Sequence, residues 1–303
     1  GDHVTALVRD PGRAGALGDV EMVRGDLDDA GAVRRGCERA DAVFHLAAVY
    51  RVGIARGERA AVERANVRGT ECVLDAAIDA GVSRIVYVST INTFGNTRGR
   101  VVDEDDRRNV ARGFVSWYDR TKYLAHLAAE DRIARGAPII VALPGGVYGP
   151  GDHSEIGSVV DKAMHGRLQF TSFPAMGIVM CHVDDVAGGL VLAHDRGTLG
   201  RSYILGGEIT TMREIVRAAA AAGGHRPPRL TMPSWAIRAG IPAAPIVTRL
   251  MGLPPNLAEL VSASDGVTYW ATDARARREL GYAPRDLATG MRQLAASAAG
   301  ARG

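Results

Sequence analysis

Alternation is the feature that most constrains this chain. Through the first two hundred of its 303 residues, short β-rich runs take turns with helical stretches, the pattern of a parallel sheet with crossover helices. The runs predicted as strands are His3–Arg9, Val20–Leu27, Ala42–Ala48, Ile85–Thr90, Ile139–Gly145 and Tyr203–Gly207. A short helix is predicted around DDAGAVRRG and longer ones over Arg64–Ala80 and Tyr118–Ala134; in the first of these, Val67, Val73, Leu74, Ala77 and Ile78 share one face. The strand runs are apolar throughout rather than alternating, as required of strands covered on both faces. The predicted class is α/β with a doubly wound parallel sheet.

After Gly207 the texture changes. TTMREIVRAAAAAG reads as a helix, and residues 227–257 carry most of the remaining prolines. The predicted division is into an α/β domain, 1–150 with 182–207, and a smaller, mostly helical lobe, 151–181 with 208–303. Gly12 to Gly18 matches G-x-x-G-x-x-G after a strand, but a phosphate loop must open a helix long enough to return the chain to a parallel neighbour. The next strand starts near Val20, so these glycines are assigned to a short connection.

Composition excludes several classes. The net charge of +3 is spread over a mixed-sign sequence without a basic tract, so nucleic acid is not an expected partner. Cys37, Cys72 and Cys181 are odd in number, with neither disulfide nor metal spacing, and no metal is expected. No apolar run approaches the ~18 residues of a membrane span, and residues 1–10 lack the apolar core of a signal peptide. A cytoplasmic protein with no membrane partner is the expectation.

Tyr118 and Lys122 are four apart on a predicted helix, so their side chains share one face. Lys122 is one of only two lysines in the chain, which makes a chance Tyr-x-x-x-Lys rare. An ammonium near a phenol lowers the cost of the phenolate and lets the tyrosine exchange a proton near neutral pH. Around this pair, GDLDD (Gly25–Asp29), FHLAA (Phe44–Ala48), NVRGT (Asn66–Thr70), VSTINTFG (Val88–Gly95), YDRTK (Tyr118–Lys122), LPGGVYGPG (Leu143–Gly151) and HVDDVA (His182–Ala187) follow in order. Together they resemble the extended short-chain dehydrogenase/reductase superfamily, the epimerase/dehydratase enzymes. In texture the chain is similar to dihydroflavonol-reductase-like enzymes and hopanoid-associated sugar epimerases.

The resemblance implies a Rossmann-type fold and a nicotinamide-dependent enzyme acting on a small-molecule substrate, with a homodimer allowed. Tyr118, Lys122 and Thr90 become the catalytic residues: Lys122 also binds the nicotinamide ribose, and Thr90 orients the substrate oxygen. Asp26, with Leu27 beside it, falls where an Asp meets the adenine. Ala47 and Ala48 end the strand that passes under the cofactor, Ser89 faces the cofactor, and Pro144, Gly145 and Val147 let the backbone approach the nicotinamide. Such chains open with a strand, a glycine-rich turn and a helix ahead of the counterpart of His3–Arg9, so an upstream strand-turn-helix is expected.

An acidic residue at the end of the strand His3–Arg9 binds ribose hydroxyls in NAD enzymes, whereas Arg accommodates the extra phosphate of NADP. Val8 takes the acidic place and Arg9 follows, with Arg13 as a second cation. NADP(H) is therefore preferred; Asp10 keeps NAD(H) open. Ile91 and Asn92 stand where the family's dehydratases carry Asp-Glu, which disfavours elimination. His45 is read as a packed strand residue, Asn66 as a tie between a helix and nearby backbone, and His182 and Asp184 as braces of the lobe junction. GIVMC (Gly177–Cys181) lacks the Arg that holds a nucleotide-sugar diphosphate. The expected activity is carbonyl reduction or alcohol oxidation on a weakly polar substrate. A sugar epimerase with tightly held NAD and a non-catalytic dinucleotide sensor are the alternatives.

Overall fold

A computed structural model describes residues 2–18, 20–240 and 256–300. Residues 241–255 of the Pro-rich stretch lie outside the described residues. Four parallel strands form the main sheet in the order β3 (Ala42–His45), β4 (Arg84–Val88), β5 (Ile139–Pro144), β9 (Ser202–Leu205).

The run-on apolarity of β4 and β5 has a direct cause. Ile85, Tyr87, Ile139, Val141 and Leu143 enter one core with Val73, Leu74 and Ala77. Their neighbours Val86, Ile140 and Ala142 enter the opposite core with Leu190, Ala193 and Leu280. Successive side chains point to opposite faces, and both faces are covered. The first core is roofed by α1 (Ala30–Cys37), α3 (Gly69–Asp79) and α4 (Trp117–Ala134); the second by α6 (Val183–Arg196) and α10 (Ala274–Leu280).

The predicted helix over 64–80 begins earlier and is interrupted. α2 (Arg59–Glu63) passes through a π-turn, Arg64–Arg68, into α3. Asn66, on the π-turn, is 1% exposed.

β1 (Thr5–Val8) and β2 (Glu21–Arg24) pair in parallel as a separate two-stranded sheet. They are joined by two short 3-10 turns, Pro11–Arg13 and Gly15–Leu17, as expected of the glycine-rich connection. Among the described residues, β1 pairs only with β2 and β3 only with β4. Each of β1 and β3 therefore keeps an open edge, and Phe44 and Leu46 at the β3 edge are exposed.

The lobe contains more sheet than the sequence suggests. β8 (Gly177–His182) lies between β6 (Gly146–Tyr148), parallel to it, and β10 (Glu208–Thr211), antiparallel. β7 (Phe170–Ser172) pairs with β11 (Leu230–Met232). α5 (Glu155–Met164), α7 (Met212–Ala222) and α11 (Leu287–Gly300) pack over Ile178 and Met180. Short strands evade a reading by periodicity. GIVMC accordingly changes meaning: it is a central strand whose every residue is buried, and its apolarity serves core packing.

Candidate active site

The site begins with how α4 starts. Ser116, in extended backbone, accepts a hydrogen bond from the Asp119 amide at 3.0 Å, an N-cap of the preferred kind. Glu259, on α9 (Leu257–Ser264), accepts from the Trp117 amide at 2.5 Å, so the lobe holds the first turn of the helix. Tyr118 and Lys122 then face the end of β4, at 7% and 4% exposure. Lys122 Nζ donates to the Val88 carbonyl at 3.0 Å and lies 5.4 Å from the centre of the Tyr87 ring. Two residues beyond Val88, Thr90 is extended, buried, and caps the short turn Ile91–Phe94 through the Asn92 amide.

Burial pushes the Tyr118 phenol above its ordinary range, with Tyr50, Tyr87 and Asp119 adding to the rise and the Thr90 hydroxyl pulling the other way. Desolvation brings the Lys122 ammonium down to about 8, and its Nζ is turned to the Val88 carbonyl. A phenol held protonated is arranged to give a proton; a buried ammonium beside it favours the phenolate that remains.

The surroundings are held by buried polar contacts. Asn66 Oδ1 accepts from the Val49 amide at 2.7 Å, and its Nδ2 donates to the Val49 carbonyl and Thr121 Oγ1, tying the π-turn to the loop after β3. His45 Nε2 meets Thr70 Oγ1 at 3.0 Å, and Thr70 in turn donates to the Asn66 carbonyl. Burial first, then Lys122, pushes His45 down to about 3, so the imidazole is neutral, as a packed strand residue should be. Tyr50 stands edge-on to Tyr118, ring centres 4.9 Å apart, and is 49% exposed. His182 caps α6 and packs edge-on against Tyr148, while Asp185 grips Arg285.

Sequence reasoning missed the pair Arg108–Asp119. Two hydrogen bonds of 2.5 and 2.7 Å join them at 4% and 1% side-chain exposure, and the guanidinium stacks on Phe114 and Tyr123. Arg108 also donates to the Asn92 and Gly113 carbonyls. It thereby fastens the turn after Thr90 and the approach to Tyr118 to one another.

The remaining candidate residues trace the carboxyl ends of the parallel strands, where open α/β sheets bind ligands. Arg9 follows β1, and its Nη1 lies 4.0 Å from Asp26 beyond β2; both are exposed. The side chain of Arg13 lies outside the described ones. Asp26 accepts from the Leu27 amide and leaves its other oxygen toward Arg9. Ala47 and Ala48 are exposed after β3, and Val147 is exposed on β6. A dinucleotide fits this set: an exposed carboxylate and guanidinium at the outer strands, small residues in the middle, and a buried ammonium with donors to spare at the inner end.

One candidate residue differs from expectation. The Ser89 hydroxyl is bonded to His126 on α4 at 3.1 Å instead of facing the crevice. At Gly145 a Cβ would lie 2.4 Å from the Val179 carbonyl oxygen, so strand β8 packs directly against this position.

Comparison with known proteins agrees with this arrangement. The chain is 30% identical over 294 residues to 2-alkyl-3-oxoalkanoate reductase of Stenotrophomonas maltophilia, covering 92% of this chain and 87% of that one. It is 30% identical over 292 residues to 4-hydroxy-2-methyl-3-oxo-4-farnesyl-3,4-dihydroquinoline-1-oxide ketoreductase of Stigmatella aurantiaca, covering 94% and 86%. In fold it is similar to the dTDP-glucose 4,6-dehydratase DesIV of Streptomyces venezuelae, solved with NAD, at a TM-score of 0.76 and 23% identity over 97% of this chain and 87% of that one. The profile of the NAD dependent epimerase/dehydratase family matches residues 1–206, and with the Tyr-x-x-x-Lys helix set against the end of β4, this chain belongs to that family of extended short-chain dehydrogenase/reductase enzymes.

Proposed function

We propose that the protein is an NADP(H)-preferring carbonyl reductase, or alcohol dehydrogenase in the reverse direction, for a small, weakly polar substrate. The observation that carries this reading is the meeting of Tyr118, Lys122 and Thr90 at the end of β4. The dinucleotide supplies or takes up the hydride. The chain's own part is to hold a substrate oxygen near the Thr90 and Tyr118 hydroxyls, to pass it the phenolic proton, and to steady the phenolate with Lys122. Pro144 and Gly145 and the loop after β3 shape the crevice beside them. The two reductases similar to this chain carry names that specify a ketone next to hydrocarbon, which supports an apolar substrate, as does the half-exposed Tyr50 ring beside Tyr118.

Among the described residues β1 and β3 each have an unpaired edge, and we read these edges as able to take one further parallel strand with a glycine-rich turn. A protein carrying such a strand ahead of β1 should bind NADPH more tightly than one without it. With hydrophobic ketones or aldehydes, net consumption of NADPH is expected, and with UDP-sugars little response. Interconversion of a UDP-sugar without net change in cofactor absorbance would replace this reading with an epimerase. Absence of any turnover, with the dinucleotide bound, would point to a sensor. A cytoplasmic location suits three free cysteines, and a dimer would show as a doubled mass in solution.

Cofactor preference should follow Arg9. A guanidinium recognises a phosphate by charge-assisted hydrogen bonds worth about 1.5–3 kcal/mol, and only NADP carries a phosphate on the adenosine ribose. Arg9→Gln is expected to weaken NADPH by roughly tenfold or more, from that range, while NADH changes little. Equal losses in titrations of the two cofactors would show that Arg9 does not read the phosphate.

A further inference from the structure

The proton chemistry above leaves one buried row of side chains unused. Ser89 Oγ meets His126 Nδ1 at 3.1 Å, and His126 Nε2 faces Glu130 Oε1 at 3.6 Å one turn further along α4. Ser89 is 5% exposed and the His126 side chain 12%, while Glu130 reaches solvent at 39%. His126 and Glu130 line a cavity of about 510 Å³. A carboxylate, an imidazole and a hydroxyl thus run inward from that cavity to the strand position between Val88 and Thr90. Those two neighbours are the ones that matter: the Val88 carbonyl holds Lys122 Nζ, and the Thr90 hydroxyl acts on the Tyr118 phenol.

We propose that His126 is a positioning residue for the catalytic centre: by fixing the hydrogen bond at Ser89 it fixes the end of β4 from which Lys122 and Thr90 are aimed. This rests on the reductase reading. With Nε2–H turned to Glu130, neutral His126 offers Nδ1 as an acceptor, and Ser89 donates to it. The Ser89 lone pairs are then free toward Tyr87, whose hydroxyl is buried and unpaired beside Ser89 and Thr70. Glu130 is held below the usual carboxylate range first by His126, against the opposing effect of burial, with Arg107 assisting.

The test compares wild type with His126→Leu, His126→Asn and Ser89→Ala, using NADPH and a hydrophobic ketone that the wild type reduces. His126→Leu should lower kcat by about ten- to a hundredfold, the effect of a small misplacement of reacting groups, with the dissociation constant of NADPH unchanged within about twofold. His126→Asn, which restores a polar atom near Nδ1, should recover kcat to within about threefold. Ser89→Ala should match His126→Leu, and the double variant should fall no further. An unchanged kcat in His126→Leu, or a His126→Asn enzyme as impaired as the leucine variant, overturns the proposal. If the leucine variant does not fold, Ser89→Ala, which removes a single oxygen, decides alone, and an unchanged kcat there overturns it. ¹⁵N-histidine spectra give a readout independent of substrate: the His126 ring signals must move in Ser89→Ala, and unmoved signals refute the hydrogen bond on which the proposal stands. A wild type that reduces no ketone would sink the reductase reading, leaving the spectra to judge the coupling between His126 and Ser89.

Discussion

Tyr118→Phe should abolish turnover, by about 10²- to 10⁴-fold or more, the scale of a lost general acid, and leave NADPH binding near its original strength. The ring stays: Phe keeps the edge-on contact with Tyr50 and the packing against Ile54 and Val62, so only the hydroxyl is removed. Lys122→Met should damage both turnover and cofactor binding, since a buried ammonium next to the crevice is lost. The pH dependence follows from Lys122, whose burial brings it from 10.5 down to about 8. Its proton is present below that value and lost above it, and the charge steadies the phenolate left by proton donation. Reduction should therefore fall as pH rises through about 8, and the methionine variant should lack that limb. Stability runs the other way. Between about 8 and 10.5 the unfolded chain holds this proton more readily than the folded one, so this group makes the fold more stable as pH rises across that window. Steady-state kinetics and fluorescence titration of NADPH check the first part, and a Tyr118→Phe enzyme of undiminished activity would refute the mechanism.

The main sheet was legible because β4 and β5 must be apolar on both faces, and a two-sided run such as IIVALP has few other uses in a chain of this kind. Helix α4 was legible from spacing alone, although its start depends on Ser116, two residues before the predicted range. The lobe strands were not legible. β6, β7 and β11 have three residues each, too few for a period to show, and β8 has an apolar string that reads equally well as the lining of a cleft. Only its place between β6 and β10 decides that its side chains belong to three cores, Val179 to the first, Cys181 to the second and Ile178 with Met180 to that of the lobe. The π-turn at Asn66 is likewise a property of how the helix meets the Val49 backbone, and no local pattern in ERANVRGT announces it.

At the site, the pair Tyr118 and Lys122 was readable and the residues that hold it in place were not. Tyr118 and Lys122 are four apart in sequence, whereas Glu259 reaches the Trp117 amide from 142 residues away. Ser89 shows the limit most clearly. Adjacent hydroxyls at the end of a strand must point to opposite sides, so with Thr90 given to the substrate side, Ser89 had to find a partner elsewhere. His126, four residues after Lys122 and so on the same helical face, was available to that argument.

The second large effect concerns stability and rests on Arg108 and Asp119. Asp119 follows Tyr118 directly, and an acid that is 0% exposed inside a helix is tolerable only with a partner. Its oxygens accept from both terminal nitrogens of Arg108 and from the Val115 amide. Removing either partner leaves the other charge in an interior that cannot solvate it, at a cost of about 3–5 kcal/mol. For a chain of this size that corresponds to a melting temperature lower by roughly 10 °C. Asp119→Ala should suffer more than Arg108→Ala, because it strands a guanidinium already lodged between Phe114 and Tyr123 whose Nε has no partner, and because it also strips the Val115 amide. Replacing both, as Arg108→Met with Asp119→Leu, should recover most of the loss, since an apolar pair of similar volume escapes the desolvation cost. Activity should not recover with it: the Arg108 bonds to the Asn92 and Gly113 carbonyls would still be missing, and these hold the segments on either side of Thr90 and Tyr118 in place. Thermal unfolding of the two single variants and the double one checks the ranking, and single variants within about 1 kcal/mol of the wild type, the scale of an exposed ion pair, would show that the pair is not the buried clamp described.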